Sequence, residues 1–461
     1  MPDLPDDPEL LKALIKQLWE KIEQLEAENA ELRRRLGLDS TNSHKPPSSD
    51  GYQKKTVAPG LPKEKGRRNG GQEGHPGRTL RAVTDPDRIE VHRPGQCLCC
   101  GRTFTADESY DVLHSRQVFD LPEPKLEVTE HRLGQITCCG VAQRGDYPSG
   151  VNAAVQYGPG VRALVTVLSI DHKMPLAQIS QLFEDLYGYD LNSGTVLDIL
   201  ERGYAHAAPL EASTLAQLRQ ADLVHFDETG IRVAGRLHWL HTASTGDRTH
   251  LFVHEKRGQA ALTSPVSVLK DFTGTAVHDC WAPYFKFTDA RHVLCGAHLL
   301  RELHGLKEDG SLWAAAMHNC LLDLYKMPRP IAAVDAVQKP YQTILEQADR
   351  EEPPPRPSPR GKPQQTPGRN LLDRLRTHQD GVLAFALEAG VPFTNNQAER
   401  DLRPSKVKLK VSGGFRTVEG AQIYARIQAV ISTFRKQGQG VFGRLRELFS
   451  PPSAAVGGGG R

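Results

Sequence analysis

The chain has 461 residues, 38% hydrophobic and 25% charged, a length that suits about three domains. Its 58 Lys/Arg against 55 Asp/Glu give a net charge of +3, which excludes a uniformly basic coat for nucleic acid. The charge is uneven, however. Residues 400–461 hold 12 Lys/Arg and 3 Asp/Glu, which leaves 1–399 net acidic and predicts a local polyanion contact near the C-terminal end. No run approaches the ~18 apolar residues of a membrane span. The acidic start MPDLPDDPEL lacks the basic residues and apolar core of a signal peptide. A soluble, cytoplasmic protein is expected, so its 8 cysteines stay reduced and their clusters read as metal ligands or core residues.

Residues 9–36 carry a heptad. Leu11, Leu18, Leu25 and Leu32 repeat at one position, and Ile15, Ile22, Asn29 and Leu36 at the other. Ile at a with Leu at d predicts a parallel two-stranded coiled coil and hence a homodimer, with Asn29 fixing register across the seam. The alternative is one amphipathic helix packed on the rest of the chain. Residues 37–87 are rich in Pro, Gly and Ser, with Lys/Arg in excess, and read as a basic flexible linker. It serves either as a plain tether or as a salt-sensitive phosphate contact.

Residues 88–150 read as a small zinc-knuckle-like, DNA-binding β module. Cys97-x2-Cys100 and the adjacent Cys138-Cys139 flank three expected strands, QVFDLP, KLEVTEHRL and QITCCG. Four thiolates suit tetrahedral Zn²⁺. A module without metal is the alternative, since neighbouring cysteines rarely share an ion. Residues 151–215 read as a helical domain, either a helix–turn–helix or a packing unit.

From 216 to 447 the pattern changes to strands: ADLVHFDETGIRV, GRLHWLHTAST and THLFVHEKR, then a helix over QAALTSPVSVLKDF, a fourth strand GTAVHDCWAPY and a fifth, RHVLC. Three antiparallel strands followed by alternating helix and strand is the order of a ribonuclease-H-like α/β fold. There an acid in the first strand lies beside an acid ending the fourth, here Asp227 and Asp279. Unpaired carboxylates behind apolar strands are costly unless they face a cleft or a metal. Hard oxygen ligands suit Mg²⁺, and a third acid, Glu399, would clamp a second ion about 3.5–4 Å from the first. Each acid has a plainer role: Asp227 and Asp279 as turn residues, Glu399 as a capping-box partner of Asn396 or an i,i+4 partner of Arg403. The long interval between Asp279 and Glu399 predicts a helical insertion at about 300–390, with a proline-rich loop, EEPPPRPSPRGKPQQTPGR. After Glu399, Arg400 and Arg403 precede Lys406, Lys408 and Lys410 alternating with apolar residues. An extended segment would present that lysine row on one face. Gly413, Gly414 and Arg416 are expected to admit a phosphate, and residues 448–461 form a tail.

HFDETG, HDCWAPYF, Cys295-x2-His298 in LCGAHLLREL, and NNQAERDLRPSKVKLKVSGGFRT resemble the DDE transposases of the insertion-sequence-sixty-six family, as do the upstream NSHKPPSSD and GGQEGHPGRT. The resemblance runs from the heptad to about residue 447. It implies Asp227, Asp279 and Glu399 as a catalytic triad holding two Mg²⁺. Their substrates would be the element's terminal repeats and target DNA, at the nucleoid, with accessory proteins of the same element as further partners. The adjacency of Arg400, Arg403, Lys406, Lys408, Lys410 and Arg416 to the third acid favours DNA backbone contact over a merely solvated strand face. The resemblance places Cys295 and His298 in a C-x2-H feature, whose plainer role is a strand-end thiol packing on a helix-start histidine. Two departures stand out: the touching Cys138 and Cys139, and His44 in place of a serine. The rivals are a nuclease without strand transfer and a non-catalytic DNA-binding regulator.

Overall fold

The computed structural model describes residues 7–37, 79–355 and 365–451. Most of the expected basic linker, with NSHKPPSSD and nearly all of GGQEGHPGRT, lies outside the described residues, as do most of the proline-rich loop and the tail. Helix α1 (Pro8–Gly37) carries the heptad. Ile15, Leu18, Ile22, Leu25 and Leu32 are 45–53% exposed along it, so its apolar stripe is not packed on the rest of the described chain.

Between 88 and 150 the paired strands among the described residues are β1 (Gln135–Cys138) and β2 (Val141–Arg144), an antiparallel hairpin. The strands expected over QVFDLP and KLEVTEHRL do not form. Val118, Leu121 and Val128 are 77–90% exposed there, and apolar alternation yields a stable strand only with partner strands and a covering layer.

Helix α2 (Pro159–Thr166) starts on a proline, runs through one π-turn at Val167–Asp171, and is followed by α3 (Leu176–Tyr187) and α4 (Ser193–Arg219). The chain then enters a five-stranded sheet of β3 (Leu223–Val233), β4 (Arg236–Ser244), β5 (Thr249–His254), β6 (Thr275–His278) and β7 (Arg291–Leu294). Its order is β5-β4-β3-β6-β7. The β3–β4 and β4–β5 pairs are antiparallel, and β3–β6 and β6–β7 are parallel. The single helix expected between β5 and β6 is instead α5 (Gln259–Leu262) and a 3-10 turn at Leu269–Asp271, because Pro265 interrupts the run.

Five helices follow β7: α6 (Gly296–Glu308), α7 (Leu312–Lys326), α8 (Val334–Glu351), α9 (Pro367–Thr377) and α10 (Gln379–Leu387). They enclose their own core around Trp313, Met317, Tyr341, Leu345, Leu372 and Phe385.

The segment after Glu399 is a helix, α11 (Asn396–Ser412), not the expected extended lysine row. Ala398, Leu402 and Ser405 are buried at helical spacing, and Leu402 packs with Ala421 and Ala425 on Ile231, Val233 and Leu240 of the sheet. That packing outweighs the short-range alternation and accommodates Pro404 inside the helix. Helices α12 (Val418–Lys436) and α13 (Val441–Phe449) then close on α2, α3 and α4 through Phe183, Ile199, Ile431, Phe434 and Phe449. The helices before the sheet thus have their apolar faces occupied as a packing unit.

Candidate active site

Strand β3 is covered on both faces, and the alternation of its side chains decides which neighbours each meets. Val224 and Phe226 enter a core with Leu218, Phe272 and Tyr284, whereas Ile231 and Val233 enter the one with Leu402 of α11. By that alternation Asp227 faces the α11 side. Glu228, Thr229 and Gly230 continue the strand, paired with His241, Leu240 and Trp239, so Asp227 does not cap a turn. The β3–β6 register pairs His225 with Val277. Carried two residues on, it sets Asp279 beside Asp227. Burial, then the like charges of Glu228, Asp279 and Glu399, hold the Asp227 carboxyl well above the ordinary carboxylate range.

Asp279 follows the last residue of β6, where Cys280 turns the chain with a φ of 72°. Its Oδ1 accepts the Trp281 N–H at 3.0 Å, so part of the turn role foreseen for it is real. Burial raises its pKa, and that N–H and Arg257 moderate the rise. A histidine chain backs the kink. The Cys280 N–H meets His278 Nδ1 at 3.1 Å, His278 Nε2 lies 3.0 Å from His292 Nδ1, and His292 Nε2 lies 3.1 Å from the Phe287 carbonyl. The Cys280 N–H can only donate, so each imidazole carries its proton on Nε2. Burial lowers the pKa of both, in keeping with neutral rings.

Glu399 lies in the first turn of α11. Asn395, fully buried just before that turn, positions it. Its Nδ2 donates to the Phe226 carbonyl at 2.7 Å, its Oδ1 lies 2.9 Å from His225 Nδ1, and its backbone N–H donates to Cys295 Sγ at 3.1 Å. One asparagine therefore fastens the start of α11 to β3 and to the end of β7. Asp401 adds a second anchor, accepting from Lys436 Nζ at 2.6 Å and from Thr249 Oγ1 at 3.2 Å. The Asn396–Glu399 capping box is absent, and among the described residues the His298 imidazole (3.9 Å) and the Arg301 guanidinium (3.8 Å) lie within 4 Å of Glu399, rather than Arg403.

The three acids thus share one region, and Asp227 senses both of the others. Their oxygens do not all converge to coordination distance. Among the described residues, the one group of three ligating side chains with donor atoms within 4.8 Å of one another is Cys295, His298 and Glu399. The Glu399 carboxylate is aimed at that cluster.

Sequence reasoning missed Glu228. Fully buried behind Asp227, it accepts from Tyr284 Oη at 2.6 Å and from Arg257 Nε at 2.7 Å. The Arg257 guanidinium lies 4.2 Å from the Trp281 ring centre and 5.0 Å from that of Trp239. This bracket clamps the Asp279 turn, through Trp281 and Tyr284, onto β3. Burial and the Asp279 charge push the Glu228 carboxyl up to about 7. The clue was present in HFDETG, a second acid beside the first on a strand whose alternation sends it inward.

The basic residues also need correcting. On a helix, Lys406, Lys408 and Lys410 cannot share a face. Arg403, Lys406 and Lys410 recur with Glu399 at spacings of three and four and form one stripe. Arg400 borders that stripe, whereas Lys408 turns aside and is half-buried, which lowers its pKa. Arg416 is exposed in the link to α12. Gly413 ends α11 in the left-handed conformation, and Gly414 lies so close to β3 that a Cβ would sit 2.7 Å from the Arg232 carbonyl. Gly414 thus serves close packing on the strand, while Gly413 terminates the helix with open space around it.

The profile of the transposase IS66 family matches residues 154–423, which span the sheet, all three acids, Cys295 and His298. The chain belongs to the transposase IS66 family. A family of unknown function (DUF6444) matches residues 2–81, the heptad and the linker. No curated protein matches the chain. As a member of this family, the chain is a transposase. No helix among the described residues is long and apolar enough to cross a membrane.

Outside the matched transposase region, the backbone amides of Cys100 and Cys99 point at the Cys97 sulfur and lower its pKa. Cys138 and Cys139 straddle the end of β1 with sulfurs 3.7 Å apart. Two thiolates about 2.3 Å from one tetrahedral zinc would be about 3.8 Å apart, so touching cysteines are no obstacle here. The two knuckles do not converge among the described residues.

Proposed function

We propose that this transposase cleaves the ends of its insertion sequence and joins the 3′ ends to target DNA, with Asp227, Asp279 and Glu399 as the catalytic acids. The observation that carries the reading is the raised carboxyl of Asp227, crowded by two further acids from different elements. Such a cluster is costly until a cation enters it, and three carboxylates fit Mg²⁺. The strand order, with acids on the two central strands, supports a ribonuclease-H-like catalytic domain.

Two Mg²⁺ ions held by these acids would supply the charge that activates water and stabilises the leaving 3′ oxygen. The chain's own residues do the rest. Strand β3 and the Glu228–Arg257 bracket hold Asp227 and Asp279 rigid. Glu399 swings from His298 and Arg301 toward them, which makes α11 the element that completes the site. Arg400, Arg403, Lys406 and Lys410 run on from Glu399 along α11 and would grip the DNA backbone, positioning the duplex without reading its bases. Lys408 and Arg416 would contribute at the margins.

The exposed heptad of α1 would pair two copies and so bring two element ends together. Cys97, Cys100, Cys138 and Cys139 would hold Zn²⁺ in a DNA-binding knuckle once the hairpin meets the first turn. Accessory proteins of the element remain compatible partners.

The test is strand cleavage of labelled element-end DNA, with and without Mg²⁺, by the parent and Asp227→Asn. Cleavage that needs both the metal and Asp227 is the expected result, with a loss of at least about a thousandfold in the variant. A variant that cuts as well as the parent would sink the assignment. Tight DNA binding without cleavage by the parent would favour the regulator.

A further inference from the structure

Glu399 belongs to two neighbourhoods, the acids on β3 and β6 and the pair Cys295 and His298, and the structure shows it aimed at the second. We infer that Cys295, His298 and Glu399 form a second metal site, selective for a thiophilic divalent cation of the zinc type, and that filling it withdraws Glu399 from Asp227 and Asp279. The withdrawal rests on the catalytic reading above; the site itself does not.

The donor set is one sulfur, one imidazole nitrogen and one carboxylate oxygen, which suits zinc and excludes magnesium. The donor atoms lie within 4.8 Å of one another, and His298 Nδ1 is 3.9 Å from Glu399 Oε1. An ion bound at about 2.0–2.3 Å asks the group to close by roughly 1 Å, within the reach of side-chain rotation. The frame is already built. Cys295 follows β7 as the N-cap residue of α6, His298 lies in the first turn of α6 and Glu399 in the first turn of α11. Those helix starts are joined by the Gly296 N–H to the Phe393 carbonyl at 2.8 Å and by the Asn395 N–H to Cys295 Sγ at 3.1 Å.

Cys295 is 1% exposed, and burial pushes its thiol up to about 11. The metal must therefore displace the thiol proton, which passes to solvent. Arg301, 3.8 Å from Glu399, opposes a cation and keeps affinity low. The site thus fills when thiophilic metal is in excess, and the enzyme is then short of its third acid.

Cobalt(II) serves as probe, because its bond to a thiolate gives a near-ultraviolet charge-transfer band. It is titrated into the full chain carrying serine at Cys97, Cys99, Cys100, Cys138 and Cys139, which removes the knuckle thiols. We expect the band to saturate at one ion per chain and to vanish in Cys295→Ser, whose hydroxyl still accepts the Asn395 N–H and so keeps the fold. His298→Ala should weaken binding at least about tenfold. No band, or a band that survives Cys295→Ser, overturns the site. In magnesium-driven cleavage, Zn²⁺ should inhibit the knuckle-free protein, and Cys295→Ser should need at least about ten times more, each normalised to its own zinc-free rate. Equal sensitivity overturns the withdrawal of Glu399. Absence of cleavage even by the parent with its knuckle cysteines intact counts against the catalytic reading alone, and the cobalt band still decides the site.

Discussion

Residues 223–254 and residues 117–133 both alternate apolar and polar side chains, and they reach opposite outcomes. The first form β3, β4 and β5, buried under α4 and α5 on one face and α11 and α12 on the other. The second stays extended and exposed, with Val118 at 90%. Alternation permits a strand; a covering layer makes one. The cysteine region is held by turns and by Arg93, which donates to the Ala106 and Glu108 carbonyls and stacks on Tyr110. Exposed contacts of this kind are worth little, which is what a region that takes its order from the proposed zinc or DNA would show. Carboxylates that must be held rigidly belong on the sheet. A surface that must adapt to a ligand can be left to the knuckles.

The comparison breaks most readily at the buried fastener of α11. Asn395→Ala removes two side-chain hydrogen bonds and strands the His225 imidazole without its acceptor, at a cost of about 3 kcal/mol. Denaturant unfolding would measure it, together with a loss of cleavage as Glu399 loses its place. A variant as stable as the parent would mean that α11 is held by apolar packing alone. Glu228→Gln probes the same region through pH. The native Glu228 keeps its proton up to about 7 while the unfolded chain releases it near 4.5. The native state then binds more protons, and this group's contribution to stability falls as pH rises between those values. The decline is worth up to about 3 kcal/mol. The glutamine variant should show a shallower fall in Tm over that window, the remaining slope coming from Asp227 and Asp279, whose shifts have the same sign. An unchanged profile would exclude Glu228 as the buried proton holder.

What could be read from the sequence divides along the same line. The order of the strands, the helical insertion and the three acids followed from local patterns whose partners also lay in the sequence: apolar runs, turn residues, acids at strand ends. Helix α11 did not, because Lys406–Val411 alternates like a strand and its burial is decided by Ala421 and Ala425 of α12, more than ten residues on. The roles of Asn395 and Glu228 were hidden for a related reason, although HFDETG already showed a second acid turned inward. Each takes its role from partners far along the chain: Asn395 from Phe226 and Cys295, Glu228 from Arg257 and Tyr284. The closeness of Glu399 to Cys295 and His298 depends on how β7 and α11 end, which no spacing in the sequence encodes.

Smaller effects sharpen the contrast between rigid and adaptable surfaces. On the helix, Arg403, Lys406 and Lys410 form one stripe while Lys408 stands apart. Replacing the three by Ala should therefore flatten the salt dependence of DNA affinity by about 0.9 in log–log slope per lost phosphate contact. Lys408→Ala alone should leave the slope nearly unchanged. If Lys408 counted as much as the others, the DNA would have to approach from the side where Lys408 is half-buried, and the stripe would be the wrong surface.

The smallest expected effect is the most direct test of the opening contrast. Val118→Ser removes a side chain that touches almost nothing, so free-chain stability should change by less than about 0.5 kcal/mol. Phe226→Ser, in the sheet, opens the core shared with Phe272 and Tyr284 and should cost several times more. The informative arm adds Zn²⁺ or element-end DNA. If either ligand folds the cysteine region, Val118→Ser then loses binding or protease protection that it did not lose alone. A substitution neutral in both conditions would mean that residues 117–133 remain a tether even in the complex, and that only the Cys97 turn and the β1–β2 hairpin do the recognising.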